Sequence, residues 1–377
     1  PAMYALLRPL LFAMDPATAH AVAMRALAPV EHVAPVRALL RAALAVREPR
    51  LEVRKMGLVF PTPIGLAAGF DKNAERPRAL AALGFGHVEL GTVTAQAQGP
   101  NPTPNLFRLS ADEALVNRLG FPNEGAERVA RRIAARRRGV GVPVGVSIGK
   151  SRSVPLEPIE GALADYLASY RAVRDVAEFV VVNVSSPNTK DLRAMQAADV
   201  ARALFAALRE EEGRGAKRPP LLVKIAPDLD DAAIDAVCAE ARAAGLAGVV
   251  ATNTTVSRQG LSTPSEVVER IGAGGLSGKP LLARSLAVVK RVRANLGPDA
   301  CVIGVGGVDE VESALAMLRV GADLVQLYTG FVYRGPLLPR ALARGLLARM
   351  DAERAGSLSE LVRPPSGDRA PAAAAPA

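Results

Sequence analysis

Eight short apolar runs alternating with amphipathic stretches constrain this 377-residue chain more than any other feature. The runs lie at 65–70, 87–93, 142–148, 179–184, 221–225, 248–252, 301–305 and 324–328. Between them, helical-period segments occupy 123–138, 161–176, 199–212, 230–244 and 281–296. Strand-length runs separated by helix-length segments predict a parallel sheet with helical crossovers. Eight such units over about 280 residues fit an α/β fold of the (β/α)8 TIM-barrel type. A doubly wound sheet is the rival, but it should carry a glycine-rich dinucleotide turn after its first strand. Here that strand runs into Ala67-Ala68-Gly69-Phe70-Asp71-Lys72, which lacks the pattern.

Residues 3–46 read differently, as two or three amphipathic helices forming a small N-terminal extension. Leu6, Leu7, Leu10, Leu11 and Met14 share one face, and Asp15-Pro16 has the form of a helix start. A second stripe runs through Ala19, Val22, Ala23, Ala26 and Leu27. These helices either pack on the main domain or form an apolar cap that touches a membrane or admits a lipophilic substrate. No run reaches the roughly 18 apolar residues of a membrane span. Arg8, Asp15, His20 and Arg25 break up any signal-like core. The expected division is an extension over 1–46, a barrel over 47–350 and a tail over 351–377, disordered from about 364.

Composition narrows the function classes. The net charge is +10, and Arg128, Arg131, Arg132, Arg136, Arg137 and Arg138 form the densest basic run. A nucleic-acid surface usually interleaves aromatics with its cations, and only 4% of this chain is aromatic. No nucleic-acid partner is therefore expected, and the run reads as a solvated helix face. Three histidines and two cysteines, Cys238 and Cys301, show no metal spacing, so no metal site is expected. Of 47 basic residues only eight are lysine. A lysine retained in an apolar or glycine-rich run then points to a need for a compact ammonium.

Loops after barrel strands build the active face. Lys72 follows the first run and Lys224 sits in the fifth. Either can hold a carboxylate or stabilise negative charge on a reduced ring, or else snorkel as an ordinary surface cation. Asn117, Asn183, Asn188 and Asn253 fall at strand ends, and converging amides suit a flat heterocycle with alternating N–H and C=O groups. Any one of them is equally explained as a cap or turn residue. Gly306-Gly307 and Thr329-Gly330 follow the last two strands, the usual phosphate cradle of barrels. Ser186 lies between two asparagines and could accept a proton, given a relay such as Thr189.

The ordered set Ala67–Lys72, Asn117-Arg118-Leu119-Gly120-Phe121, Asn183-Val184-Ser185-Ser186-Pro187-Asn188, Lys224–Asp228, Thr252–Thr255, Gly275–Pro280 and Tyr328-Thr329-Gly330 resembles dihydroorotate dehydrogenase. The helical extension and the serine at the base position resemble its class 2, quinone-dependent branch. The resemblance implies FMN bound by Ala68, Gly69, Phe70, Asp71, Lys72, Thr92, Asn183, Lys224, Thr252, Gly278, Gly307, Tyr328 and Thr329. It implies dihydroorotate held by Lys72, Asn117, Arg118, Leu119, Gly120, Phe121, Asn183, Asn188, Asn253 and Thr254. Ser186 would take the C5 proton while hydride leaves C6, giving orotate for pyrimidine biosynthesis. A membrane quinone, ubiquinone or menaquinone, would receive the electrons near His20, Arg108 and Tyr328. The protein would then sit peripherally on the cytoplasmic face of the cell membrane. One departure stands out: Ser147, still expected to contact FMN, occupies a position where the family usually carries a flavin-contacting asparagine, and its shorter side chain would leave room for a water. Two other readings remain, a soluble class 1-type enzyme, which would carry cysteine at the base position, and a non-catalytic barrel.

Overall fold

The computed structural model describes residues 2–189 and 191–363. The tail expected to be disordered from about 364 lies outside the described residues.

The chain opens with four helices, α1 (Ala2–Ala13), α2 (Pro16–Ala26), α3 (Ala28–His32) and α4 (Ala34–Leu44). Asp15 caps α2, its carboxylate accepting from the amides of Ala17 and Thr18, with Pro16 in the first turn. A hairpin of β1 (Val53–Lys55) and β2 (Leu58–Phe60) follows, then β3 (Ile64–Leu66), α5 (Pro77–Ala82) and β4 (His87–Val93). An excursion carries β5 (Leu106–Leu109) and β6 (Ala114–Asn117). Alternation then resumes with α6 (Ala126–Arg137), β7 (Val144–Ile148), α7 (Ile159–Val173), β8 (Phe179–Asn183), α8 (Ala198–Gly213), β9 (Leu221–Ile225), α9 (Asp231–Ala243) and β10 (Gly248–Ala251). After α10 (Ser265–Ile271) and β11 (Gly275–Gly278) come α11 (Leu282–Leu296), β12 (Cys301–Val305), α12 (Val311–Arg319) and β13 (Leu324–Leu327). The described chain ends with α13 (Thr329–Arg334), α14 (Leu338–Glu353) and α15 (Leu358–Val362).

Strands β3, β4, β7, β8, β9, β10, β12 and β13 close into a barrel, every neighbouring pair parallel. These are the eight expected runs, the first ending at Leu66 rather than Phe70. Ala67–Lys72 is loop, which frees its backbone for the active face. The antiparallel sheet β5–β6–β11, absent from the sequence expectation, stands apart from the barrel. The unforeseen hairpin feeds the interior: Phe60 packs with Phe179, Leu222, Cys301 and Leu324. At the C-terminus, α14 continues to Glu353 and α15 buries Leu358 and Leu361, so ordered packing extends past the expected boundary at 350.

The extension is joined to the barrel by polar contacts. Glu31, fully buried on α3, accepts from the amides of Arg78 and Ala79 at the start of α5. Tyr4 of α1 donates to the Val332 carbonyl, and Phe12 meets Tyr333 edge to face at 5.2 Å. The leucine face of α1 is left uncovered: Leu6 is 78% exposed and Leu10 65%. The basic run divides in two. Arg128, Arg131 and Arg138 are exposed, as a solvated face requires. Arg132, Arg136 and Arg137 instead brace the barrel, reaching the Asn73 carbonyl, the Ala74 carbonyl and Glu178. Among the described residues no helix is long and apolar enough to cross a membrane.

Candidate active site

The C-terminal ends of the barrel strands surround one cleft with about 960 Å³ of empty space, part of it open to solvent. Ala68, Gly69 and Lys72 reach it from the loop after β3, and Thr92 from the end of β4. Asn117, Leu119, Gly120 and Phe121 cover it from the excursion after β4. Asn183, Ser186 and Asn188 come from the end of β8 and its loop, Lys224 from β9, and Thr252, Asn253 and Thr254 from the loop after β10. Gly278, Gly307, Tyr328 and Thr329 complete the opposite side. Barrel closure thus gathers residues that lie up to 263 positions apart in the chain (67 to 330).

The four asparagines work in pairs. The Asn188 amide donates to Asn117 Oδ1 at 3.0 Å. Asn253 donates to Ser185 Oγ at 3.0 Å and to Asn183 Oδ1 at 3.4 Å. Asn183 donates in turn to Thr92 Oγ1 at 3.1 Å, and that hydroxyl lies 2.9 Å from Ser147 Oγ. Amides tied to one another have fixed orientations, so each offers its remaining donor or acceptor in a set direction. Ser147 itself is fully buried beneath Thr92 and does not line the cleft. Ser186 Oγ accepts from the Asn188 backbone N–H at 3.2 Å. Thr189 Oγ1 is buried and meets no partner among the described residues.

Two lysines face the cleft from unlike settings. Lys72 donates to the Gly69 carbonyl at 2.6 Å; burial lowers its pKa to about 8, with the Asp71 charge opposing. Lys224 is also pushed down by burial, opposed by Glu89 on β4. Burial in turn raises the Glu89 carboxyl, with Lys224 and Gln326 acting the other way. Gln326 on β13 donates to Glu89 at 2.7 Å and lies 3.3 Å from His87 Nε2. This buried polar layer, spanning β4, β9 and β13, was missed in the sequence. Its signal was present as Glu89 and Gln326 inside otherwise apolar runs.

Other expected contacts lie elsewhere. Asp71 turns inward, accepting from the amides of Glu75 and Arg76 at 2.8 Å each, and burial lifts its pKa to about 6. Phe70 packs on Phe331 and Tyr328. Arg118 points away and donates to the carbonyls of Pro104, Ile271 and Ala273. Arg108 donates to the carbonyls of Leu11, Phe12 and Met14, closing the C-terminal end of α1. His20 lines a second, shallower cleft with Phe70 and Lys72, and burial lowers its pKa to about 4. Three rings connect the two clefts: His20 lies 4.9 Å from Phe70, and Phe70 5.9 Å from Tyr328. Gly306 and Gly330, expected in the phosphate cradle, line the main cleft, and so does Ser277, which was not singled out as a contact.

The far end of the cleft suits a phosphate. The backbone N–H groups of Gly306, Gly307 and Val308 meet no backbone acceptor among the described residues. The first turn of α13 adds free amides beside them. Gly307 has φ +76°, and a Cβ there would stand 2.5 Å from that of Leu282, so no side chain can occupy this bend without displacing α11. Backbone amides without a backbone acceptor among the described residues at one end, and polar amides and lysines along the rest, fit a phosphorylated planar cofactor.

Comparison with known proteins points the same way. A family model described as dihydroorotate dehydrogenase matches residues 50–350. The dihydroorotate dehydrogenase (quinone) of Thermobifida fusca is 51% identical over 358 residues, covering 94% of each chain. That of Nocardia farcinica is 48% identical over 360 residues, covering 96% of each. The crystal structure of DHODH from Eimeria tenella in complex with ferulenol matches with a TM-score of 0.79 at 33% identity. That match covers 92% of this chain and 94% of the other.

Proposed function

The chain belongs to the dihydroorotate dehydrogenase family, and on that premise we propose that it oxidises (S)-dihydroorotate to orotate, with FMN as hydride acceptor and a membrane quinone as final electron acceptor. It is an oxidoreductase, and the reaction is a step of pyrimidine biosynthesis. The observation that carries the reading is the cleft itself: Ser186, two asparagine pairs and Lys72 share one cavity with the free amides of Gly306–Val308.

The residues present fit FMN. Gly306, Gly307 and the start of α13 would hold its phosphate, and Ala68, Gly69, Thr92, Lys224 and Thr252 its ring. When bound, FMN supplies the hydride acceptor and the electrons for the quinone. Everything else falls to the protein. Lys72 would hold the substrate carboxylate by charge, and Asn117, Asn188, Asn183 and Asn253 would orient the ring by its alternating donors and acceptors. Ser186 Oγ would accept the C5 proton. The Asn188 N–H already directed at that oxygen favours the charge it carries as its own proton leaves. Thr189, buried with a hydroxyl that meets no partner among the described residues, is the nearest candidate in sequence to pass that proton on.

The uncovered leucines of α1 and the His20–Phe70–Tyr328 line support a membrane-facing extension through which a quinone approaches. A class 1-type enzyme is less well supported. Cys238 on α9 and Cys301 at the start of β12 are buried and do not line the cleft, whereas Ser186 does. The test is Ser186→Ala. Loss of a general base should slow flavin reduction by dihydroorotate about 100-fold or more at neutral pH. FMN should stay bound. Reduction near the wild-type rate in anaerobic stopped flow would overturn the assignment.

A further inference from the structure

Arg193 lies outside the cleft, on the short 3₁₀ turn Leu192–Gln196 that follows the Ser186 loop. Its guanidinium fans out to three partners from three strand-end loops. Nε donates to the Ser185 carbonyl at 3.1 Å, and Nη2 donates to the Thr254 carbonyl at 2.9 Å. Nη1 stands 2.8 Å from the Asp228 carboxylate. Asp228 is itself fixed, accepting from Thr255 Oγ1 and, at 3.3 Å, from the Val256 amide. We propose that Arg193 is a positioning residue for proton abstraction, clamping the peptide that precedes Ser186 to the loop that carries Asn253 and Thr254.

The geometry is specific to that peptide. Ser185 is fully buried, and its hydroxyl is already held from two sides, donating to Asn183 Oδ1 at 3.1 Å and accepting from Asn253 at 3.0 Å. Its backbone N–H also donates to Asn183 Oδ1 at 3.2 Å, and Arg193 takes the one remaining polar group of that residue, the carbonyl joined directly to Ser186. With both ends of Ser185 pinned, the backbone leading into Ser186 has little freedom to swing the hydroxyl. The turn carrying Arg193 is anchored too: Gln196 accepts from the Ala226 amide at 2.8 Å and donates to the Arg193 carbonyl at 3.2 Å. A planar guanidinium can serve three acceptors in one plane, which a lysine ammonium on a flexible stem cannot reproduce. Thr254 lines the proposed substrate cleft, so the clamp ties the position of the base to the loop beside the substrate.

The proposal rests on Ser186 as base, and the experiment separates the two. Flavin reduction by dihydroorotate is measured anaerobically in FMN-loaded wild type, Ser186→Ala, Arg193→Gln and the double variant. Arg193→Gln is expected to slow reduction about 10- to 100-fold, the order of loss that accompanies a misplaced reacting group. Its orotate affinity should fall by less than its reduction rate, since Arg193 does not line the cleft and reaches the substrate loop only through the Thr254 carbonyl. The double variant should be no slower than Ser186→Ala, because a residue acting through Ser186 has nothing left to position. Amide hydrogen exchange over residues 184–189 should quicken in Arg193→Gln. Wild-type reduction rates in Arg193→Gln would overturn the clamp, and so would a double variant showing the product of both single losses. Normal reduction in Ser186→Ala would instead overturn the base assignment beneath it. Should Arg193→Gln fail to retain FMN, Arg193→Lys is carried through the same cycle and judged by the same outcomes.

Discussion

Lys72 and Glu89 show what single side chains contribute and how they can be tested. With its pKa near 8, Lys72 is charged below that pH and neutral above it. If it holds a carboxylate, the orotate dissociation constant should rise as pH passes about 8, by up to about tenfold per unit. In Lys72→Met, binding should be weaker near neutral pH and flat through the same range. A flat wild-type profile in a titration series would remove Lys72 from substrate binding. Glu89 makes a different prediction. Replacing it with alanine strands the Gln326 amide and leaves Lys224 without its counter-charge. The fold should lose about 1–3 kcal/mol, read as a lower denaturation midpoint. Much of the residue-level site was legible because polar groups at strand ends have little to do in a barrel except meet a ligand. Asp71, Phe70 and Arg118 show the limit. They sit inside recognisable motifs, yet a motif does not say which way each side chain turns, and these three do not line the main cleft.

At the scale of elements the strand rhythm was almost fully readable, since each barrel strand is buried on both faces and writes a continuous apolar run. The hairpin and the β5–β6–β11 sheet were not, because their short strands are only partly buried and write no continuous apolar run. The extension was readable as helical, but its docking was not: Glu31 meets α5 through a contact 47 residues away. That contact shapes the right experiment. Deleting residues 1–46 would also remove the carboxylate that caps α5. Leu6→Asp with Leu10→Asp is cleaner, altering only the exposed face of α1. This pair should lower binding to lipid vesicles and turnover with a membrane-borne quinone while leaving flavin reduction within about twofold of wild type. Equal losses in both half-reactions would mean that α1 serves folding instead. The β12 loop gives a further test. Gly307→Ala imposes a side chain at φ +76° against Leu282, a strain of about 1–3 kcal/mol. FMN retention should weaken by about tenfold or more, measured by flavin release on dilution.

Across the whole molecule, the charge of +10 falls to several separate uses. Some arginines brace the barrel, Arg193 and Arg108 close loops and a helix end, and Lys72 and Lys224 face the cleft. The barrel brings together one cleft suited to a phosphorylated cofactor and a polar ring, and a helical extension with an uncovered apolar face. The aromatic line His20–Phe70–Tyr328 runs between them. Such an arrangement would let the two proposed half-reactions run apart in space, substrate held under Asn117–Phe121 and the electron acceptor on the side of the extension. The most direct test is a sequential anaerobic stopped-flow experiment on the purified protein. Dihydroorotate should bleach the flavin absorbance, and a short-chain ubiquinone or menaquinone mixed in next should restore it rapidly, whereas fumarate and NAD should not. Protein that binds no flavin, or reduced flavin reoxidised faster by fumarate than by either quinone, would contradict the account.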